Sequence, residues 1–200
     1  MQEYSSSFTS ERLLRQEMKI VLTLKWNGMG EAEIRQQVLA ENLFQYRRKD
    51  TIVKALSLIN KRLHVLDNTL QQMLLTQGHN DSLAILLYAF LQLYRLPREF
   101  VQEVLRYQLL QHKQEVSSGD ILRFLEQKRE QSHIVAAWTE QTMTKLRRVI
   151  LNFLTECGML ERQAGKKQWL ITPIALSDSL RAYVEREARY ADFLALMLYR

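Results

Sequence analysis

The sequence predicts an all-α fold, a mostly helical globular body with two helix-turn-helix-like units, of which the second carries a short β-hairpin wing. Only two prolines and six glycines interrupt the 200 residues, so helices dominate. Apolar residues recur at helical spacing along most of the chain. The exception follows Gly158, where a short apolar–polar alternation flanks the sequence AGKK and ends before Pro173. This pattern is typical of a hairpin.

Residues 1–66 form the first predicted unit, with three helices. The first helix begins near Ser10, a suitable N-cap, and ends at the sequence WNGMG; the second covers EAEIRQQVLAEN. Asp50 or Thr51 caps the third and longest helix, which is basic at its start, as is compatible with a helix-turn-helix unit. Its inward positions have heptad-like spacing: Ile52, Leu56, Ile59, Leu63 and Leu66.

Residues 67–116 form a predicted central helical core. A helix over NTLQQMLLTQ is followed by a buried helix that begins at Asn80 or Asp81 and contains the apolar stretch LAILLYAFLQLY. Pro97 lies in the first turn of the next helix, PREFVQEVLRYQLLQHK. The apolar stretch is far shorter than the ~20 residues that span a bilayer, and no signal peptide is recognisable. We therefore expect a cytoplasmic protein with no membrane segment.

Residues 117–176 form the second predicted unit. SSGD is a loop and cap before the helix ILRFLEQKREQ, and TEQTMTKLRRVILNFLTEC is a strongly amphipathic helix. In the hairpin that follows, Gly165 suits a turn that needs positive φ, Leu160 and Ile171 anchor the strands, and Trp169 covers the edge. The amphipathic helix has five inward positions: Met143, Leu146, Ile150, Phe153 and Leu154.

Residues 177–200 form one last predicted helix, capped near Ser177 or Asp178, which packs on the core. No internal repeat or low-complexity linker separates the four segments, so we expect both basic regions to pack on one helical body.

No enzyme signature is present. GMLERQAGKK has six residues between its glycines and no Ser or Thr after the lysine, so it is not a phosphate-binding loop. The four histidines have no metal-ligand spacing. The single cysteine, Cys157, rules out an internal disulfide and is expected to be a buried helix-end residue. We therefore predict no catalytic residues, no metal, no cofactor and no small-molecule ligand.

The positive charge is unevenly distributed. The net charge of +6 comes from two separated regions, because residues 1–66 have 11 Lys and Arg against 7 Asp and Glu, and residues 139–173 have 6 against 3. Residues 67–138 have 7 against 8, and residues 174–200 are balanced. A basic excess favours nucleic acid or an anionic membrane surface as the partner, without choosing between them.

Each basic region has a polar helix face clear of the apolar stripe, and Asn60 and Arg62 flank the first. Arg and Lys supply phosphate contacts, and Asn, Ser and Thr also reach base edges. A solvated helix face and a surface hairpin with edge-protecting lysines are the alternatives. The predicted first basic face consists of Arg47, Arg48, Lys49, Thr51, Lys54, Ser57 and Lys61. The predicted second basic face consists of Thr142, Lys145, Arg148, Asn152, Arg162, Lys166 and Lys167.

Four segments carry a resemblance to a known family over nearly the whole chain: YSSSFTSERLL, ENLFQYRRKDTIVKALSLINKRLHVL, LLYAFLQLYRLPREFVQEVL and TMTKLRRVILNFLTECGML. In order and spacing the chain resembles the BrxA family, a small component of bacteriophage exclusion (BREX) defence systems in bacteria. One departure is Glu11, where the family usually has a more glycine-like residue after FTS.

The resemblance implies a non-catalytic, mostly helical, cytoplasmic protein that binds double-stranded DNA and acts beside other BREX subunits, including the methyltransferase and the ATPase. It supplies no catalytic residues. Two alternatives stay open: a protein-interaction scaffold within the defence complex, and antitermination-like binding of structured RNA. Because the charge pattern has few base-reading residues, we expect binding mainly through phosphates, with little sequence specificity.

Overall fold

The computed structural model describes residues 2–199, which are mostly helical and contain a small antiparallel sheet. The first half comprises α1 (Arg15–Trp26), α2 (Glu31–Ala40), α3 (Lys49–Val65), α4 (Asn68–Thr76), α5 (His79–Leu93), α6 (Arg95–Glu99), a π-helical turn (Phe100–Leu105) and α7 (Arg106–Leu110). The second half comprises β1 (Glu115–Ser117), α8 (Ser118–Gln131), α9 (His133–Ala136), α10 (Glu140–Glu156), β2 (Leu160–Arg162), β3 (Gln168–Ile171), α11 (Asp178–Arg186), a 3₁₀ turn (Ala188–Tyr190) and α12 (Phe193–Leu196).

Helix α5 lies at the centre of the core. Every residue from 81 to 91 is buried, which confirms the prediction of a buried helix in this apolar stretch. It packs against α3 and α4, and α1 lies on the same group of helices. Buried side chains form one cluster that extends from Tyr4 to Leu198. The cluster includes residues from all four predicted segments, whose boundaries stay a prediction.

The sheet has the strand order β1-β3-β2, with both pairs antiparallel. The predicted β2–β3 hairpin is present, and its anchors Leu160 and Ile171 are Cα partners and both buried. Gly165 has a φ of 73°, as the turn prediction requires. Strand β1 was not predicted, and it makes β3 the central strand. Trp169 therefore lies in the middle of the sheet and not at an edge.

Local side-chain caps determine where the helices of the second half begin. Ser117 caps α8 and exchanges hydrogen bonds with Asp120 three residues later. Thr139 caps α10, and Ser177 caps α11 through the backbone N–H of Leu180. Each cap supplies an acceptor to an otherwise unpaired amide of the first turn. The predicted caps at SSGD and Ser177 are thus confirmed.

The predicted start of the first helix is wrong. Helix α1 begins at Arg15, and Ser10 does not cap it; the N-cap is Leu14, a buried residue with a φ of 54°. The physical reason is Arg62, whose guanidinium donates to the carbonyl oxygens of Arg12 and Leu13. Those two carbonyls are therefore used by a side chain, and the segment before α1 follows a turn around it.

The prediction that Arg62 flanks the first basic face is also wrong. The Arg62 side chain is completely buried against Glu11. The start of the third helix differs as well: Arg48 is the N-cap of α3, so neither Asp50 nor Thr51 caps it. The predicted inward positions of α3 and α10 are all buried.

The single last helix predicted over 177–200 is wrong, because the described part of this segment is divided. Helix α11 ends before Glu187, which is extended. The hydroxyl of Tyr190 accepts from the backbone N–H of Asp67, and Asp192 accepts hydrogen bonds from Tyr88, Gln92 and Arg98. These tertiary bonds hold residues 190–192 in positions that a continuous helix would not give them.

Candidate functional site

The residues of the first basic face lie along α3 and directly before it, and most of them are exposed. Arg47 precedes the helix, Arg48 is its N-cap and Lys49 its first residue. Lys54, Ser57 and Lys61 are exposed at intervals of three and four residues, which place them on one side of the helix. Thr51 is half-buried.

Part of this face opens into a groove of about 770 Å³ bounded by α1, α2, α3 and α4. Ser57 and Lys61 line it. Lys25 and Arg35 line it too and were missed because they lie on α1 and α2; His64 also lines it and was missed although it lies on the same face of α3 as Ser57 and Lys61. The helical position of Arg35, exposed on α2, was the signal available in the sequence. The floor of the groove is apolar and consists of Val21, Ile34, Leu56, Leu63 and Leu66.

The second basic face is only partly on the solvent side of α10. Lys145, Arg148 and Asn152 are exposed. Thr142 is half-buried, and its backbone N–H donates to the hydroxyl of the N-cap Thr139 at 3.2 Å. Thr142 thus contributes to the start of the helix, whatever else it contacts.

A groove of about 470 Å³ lies between α10, the first turn of α8 and the sheet. It brings together three predicted residues, Arg148, Asn152 and Arg162. The structure adds Arg147 and Trp169 to the same groove. Arg162 and Trp169 are Cα partners across the β2–β3 hairpin, so their side chains lie on one face of the sheet. The other predicted members, Thr142, Lys145, Lys166 and Lys167, do not line this groove.

The loop of the β2–β3 hairpin carries Lys166 and Lys167, both exposed. The backbone N–H of Gln163 donates to the carbonyl of Gln168 at 3.1 Å and closes the loop. The carbonyl of Lys167 accepts from the backbone N–H of Ser118 at 3.0 Å. The backbone of the loop is therefore held beside the first residue of α8 at Lys167, while both lysine side chains are exposed.

Most cations in the two basic regions, residues 1–66 and 139–173, have no carboxylate partner, whereas most of the other described cations have one. Within residues 2–199, no cation of residues 139–173 has a carboxylate oxygen within 4.0 Å of its side-chain nitrogens. In the first basic face only Arg48 has one, Asp50 at 3.8 Å, and both side chains are 79% exposed. In contrast, most cations of residues 67–138 are paired: Arg95, Arg98, Arg123, Lys128 and Arg129.

Cys157 follows the last residue of α10 and is buried, as predicted. Burial raises the pKa of its thiol far above the ordinary value. Among the described residues, no group of three or more His, Cys, Asp and Glu side chains is arranged to hold a metal ion. Nor does any described helix combine the length and apolar character that a membrane crossing requires.

Comparison with known proteins identifies the family. A crystal structure described as an uncharacterized protein from Magnetospirillum magneticum has a TM-score of 0.79 over 98% of both chains, at 19% identity, which concerns the fold alone. A "BREX protein BrxA" from Bacillus cereus (strain H3081.97) is 34% identical over 84% of each chain. A second protein of that name, from Paramagnetospirillum magneticum, is 22% identical over 90% of this chain and 89% of its own. The BrxA family model matches residues 2–188, and the chain therefore belongs to the BrxA family.

Proposed function

We propose that this protein is a non-catalytic, double-stranded DNA-binding component of a BREX phage-defence system. The BREX assignment follows from family membership and from the names of its relatives. The DNA-binding assignment rests on one observation above all: among the described residues, no cation of α10 and its hairpin and only Arg48 of the first basic face has a carboxylate within 4.0 Å, whereas most cations of residues 67–138 are paired.

The physical reason is that an exposed cation with a carboxylate neighbour has much of its field neutralised locally. A group of unpaired cations instead sums to a positive potential that attracts a polyanion. Phosphates of duplex DNA are such a polyanion, and their neutralisation releases counterions, which gives affinity without sequence recognition. Few Asn, Ser or Thr side chains accompany the cations, so we expect weak sequence specificity.

The order of elements supports a winged-helix interpretation of residues 95–171. A helix (α6 to α7) is followed by β1, by the three helices α8, α9 and α10, and by a hairpin whose second strand lies between β1 and β2. In this interpretation α10 enters the major groove of the DNA, and the β2–β3 hairpin is the wing. Lys166 and Lys167 at the tip of the hairpin would contact the phosphate backbone, while Arg148 and Asn152 of α10 would face the DNA groove.

The first basic face would act as a second contact through α2 and α3, a helix-turn-helix-like pair. The proposed role also requires access to DNA, which in a bacterium is found in the cytoplasm. Other BREX subunits, such as the methyltransferase and the ATPase, are the proposed protein partners.

The test is a titration of duplex DNA at several salt concentrations. Wild type is compared with Arg47/Arg48/Lys49→Ala and with Lys145/Arg148/Lys166/Lys167→Ala. We expect both variants to bind more weakly and to show a salt slope smaller by up to about 0.9 for each phosphate that is no longer neutralised. A matched control, Arg123/Arg181/Arg186→Ala, removes three exposed cations that are already paired.

The control should bind like wild type, because its three cations lie outside the two basic faces, although their removal lowers the net charge by three as well. If the control binds as weakly as the Arg47/Arg48/Lys49→Ala variant, the net charge alone explains the affinity and the two faces have no special role. If wild type binds no duplex even at low salt, the proposal is wrong. Competition with an RNA hairpin of equal length then tests structured-RNA binding. Charge reversal at Lys145 and Arg148, followed by co-purification, tests the scaffold alternative.

A further inference from the structure

Arg62 is a buried cation on α3, the helix of the first basic face. Its side chain and that of Glu11 are both inaccessible to solvent, and its Nη2 atom donates to the Glu11 carboxylate. The Nη1 atom donates to the carbonyl oxygen of Leu13 at 2.6 Å. Glu11 is satisfied from a second side, because its other oxygen accepts from the hydroxyl of Tyr94. The two charges thus compensate each other in the core.

The same guanidinium contacts α10, the helix of the second basic face. Its Cζ atom lies 5.2 Å from the ring centroid of Phe153. Phe153 in turn stacks on Phe90 of the central helix α5, with ring centroids 4.1 Å apart and an interplanar angle of 11°. One arginine therefore links the N-terminal segment and the two helices that carry the basic faces, against a stacked aromatic support.

The contact between Arg62 and Phe153 also connects the two basic faces, because each of these buried residues is next in sequence to a residue of one face. Arg62 directly follows Lys61 of the first basic face, and Phe153 directly follows Asn152 of the second. A guanidinium is planar and has donors in fixed directions, so its partners fix its orientation as well as its position. A shift of Arg62 against Phe153 would move Lys61 relative to Asn152.

We propose that the Arg62–Glu11 pair is a positioning device, which fixes the two basic faces relative to each other so that both engage one duplex at the same time. This inference rests on the proposed DNA binding. Its physical basis is that rigidly linked sites make the second binding event intramolecular, which raises the overall affinity without additional interactions. A buried ion pair is weak evidence for a role in stability, since apolar replacements of such pairs are often neutral or stabilising.

The experiment compares a short and a long duplex. A compact chain of this length has a radius of gyration of about 16 Å. It therefore spans about 40 Å, or roughly 12 base pairs at ~3.4 Å per pair. A hairpin duplex of ~8 base pairs engages one face, and a duplex of ~30 base pairs reaches both. For wild type we expect the long duplex to bind at least about tenfold more tightly per site than the short one.

The variant is Arg62→Met with Glu11→Gln, which removes both buried charges and keeps an acceptor for Tyr94. Circular dichroism and cooperative thermal unfolding verify that it is folded. We expect its affinity for the short duplex to equal that of wild type, and its advantage for the long duplex to disappear. A role in folding alone would not change this ratio. If the double variant does not fold, Phe153→Leu removes the ring contacts with Arg62 and Phe90 and keeps a buried apolar side chain, with the same expectation.

Two results overturn the inference while the proposed function stands: a folded variant that keeps the full long-duplex advantage, and a wild type that binds both duplexes equally per site. A wild type that binds neither duplex removes the proposed function and the inference with it.

Discussion

The Nζ atom of Lys128 on α8 lies 2.8 Å from Oε2 of Glu99 at the end of α6, and 2.7 Å from Oε1 of Glu103. The Lys128 side chain is only 4% exposed, so its charge depends on these two carboxylates for compensation. Glu99 also accepts hydrogen bonds from the hydroxyl of Tyr4 and from Nε of Arg95, each at 2.6 Å. The cluster joins the N-terminal segment to α6 and α8.

We predict that Glu99 makes the protein acid-sensitive. Burial acts to raise the pKa of its carboxyl, but hydrogen bonds from Lys128, Tyr4 and Arg95 outweigh burial and hold the pKa below the ordinary 4.5. A lowered pKa in the folded state stabilises the protein above the unfolded value, and this stabilisation is lost as the pH falls through the folded value. Urea unfolding should show that Glu99→Gln lowers the free energy of unfolding at neutral pH, by about 1.5–3 kcal/mol.

The same variant should lose less stability than wild type between about pH 5 and pH 3, because it has no carboxyl to protonate at this position. Parallel losses in both proteins over that interval would contradict the prediction. Glu185→Gln, in an exposed pair with Arg181, is the matched control and should follow wild type closely at every pH, since exposed pairs contribute little to stability.

His112 should be replaceable by glycine with a gain in stability. It follows the end of α7 with a φ of 57°. Its backbone N–H donates to the carbonyl of Leu109, and the backbone N–H of Lys113 donates to the carbonyl of Gln108. Gly158 has the same place after α10, with a φ of 78°. A side chain in this left-handed conformation costs about 1–2 kcal/mol. We expect His112→Gly to raise the free energy of unfolding by about 1 kcal/mol.

His112→Ala is the control, because it removes the imidazole and keeps the left-handed strain, so no gain is expected. Gly158→Ala should lower the free energy of unfolding by about 1–2 kcal/mol. Chemical denaturation measures all three variants, and a destabilised His112→Gly protein would show that the imidazole contributes more than the backbone costs.

Cys157 should be unreactive in the folded protein. Because burial raises the pKa of its thiol, the thiolate that reacts with a disulfide reagent is scarce at neutral pH. We expect labelling by a coloured disulfide reagent to be slow in buffer and complete within minutes in concentrated urea. Fast labelling of the folded chain would mean that the end of α10 opens readily.

Arg147 should contribute to DNA binding although its position in the sequence does not indicate it. It lines the groove between α10, α8 and the sheet together with Arg148 and Arg162. We expect Arg147→Ala to weaken duplex binding and to reduce the salt slope by about 0.9, the effect of one phosphate that is no longer neutralised. Arg123→Ala, which removes a paired cation at the surface of α8, is the control. Equal binding by the two variants would exclude Arg147 from the interface.

Much of the fold could be predicted because its signals are local. The inward positions of α3 and α10 follow from spacing alone, and Gly158 and Gly165 end a helix and form a turn through their own φ angles. The cap at Ser117 depends on a residue only three positions away. Such features need no knowledge of distant parts of the chain.

The missed features depend on distant partners. Nothing in the three residues of β1 indicates a strand until β3 lies beside them. Arg62 lies at the border of the apolar stripe of α3, and its burial depends on Glu11, 51 residues earlier. The break after α11 depends on hydrogen bonds from residues 190–192 to α5 and to the start of α4. Arg147 and Trp169 join the candidate site only because the sheet folds against α10.

The pairing of β1 with β3 has a consequence for folding. Glu115 lies opposite Leu170, so the chain must close a loop that contains α8, α9 and α10 before the sheet is complete. Closing a loop of this length costs entropy. The pairing of the three-residue strand β1 with β3 offsets that cost only when the helices are already packed. A two-stranded hairpin is marginally stable by itself in water. Backbone amides of β2 and β3 should therefore exchange their hydrogens only as fast as α8 and α10 unpack together.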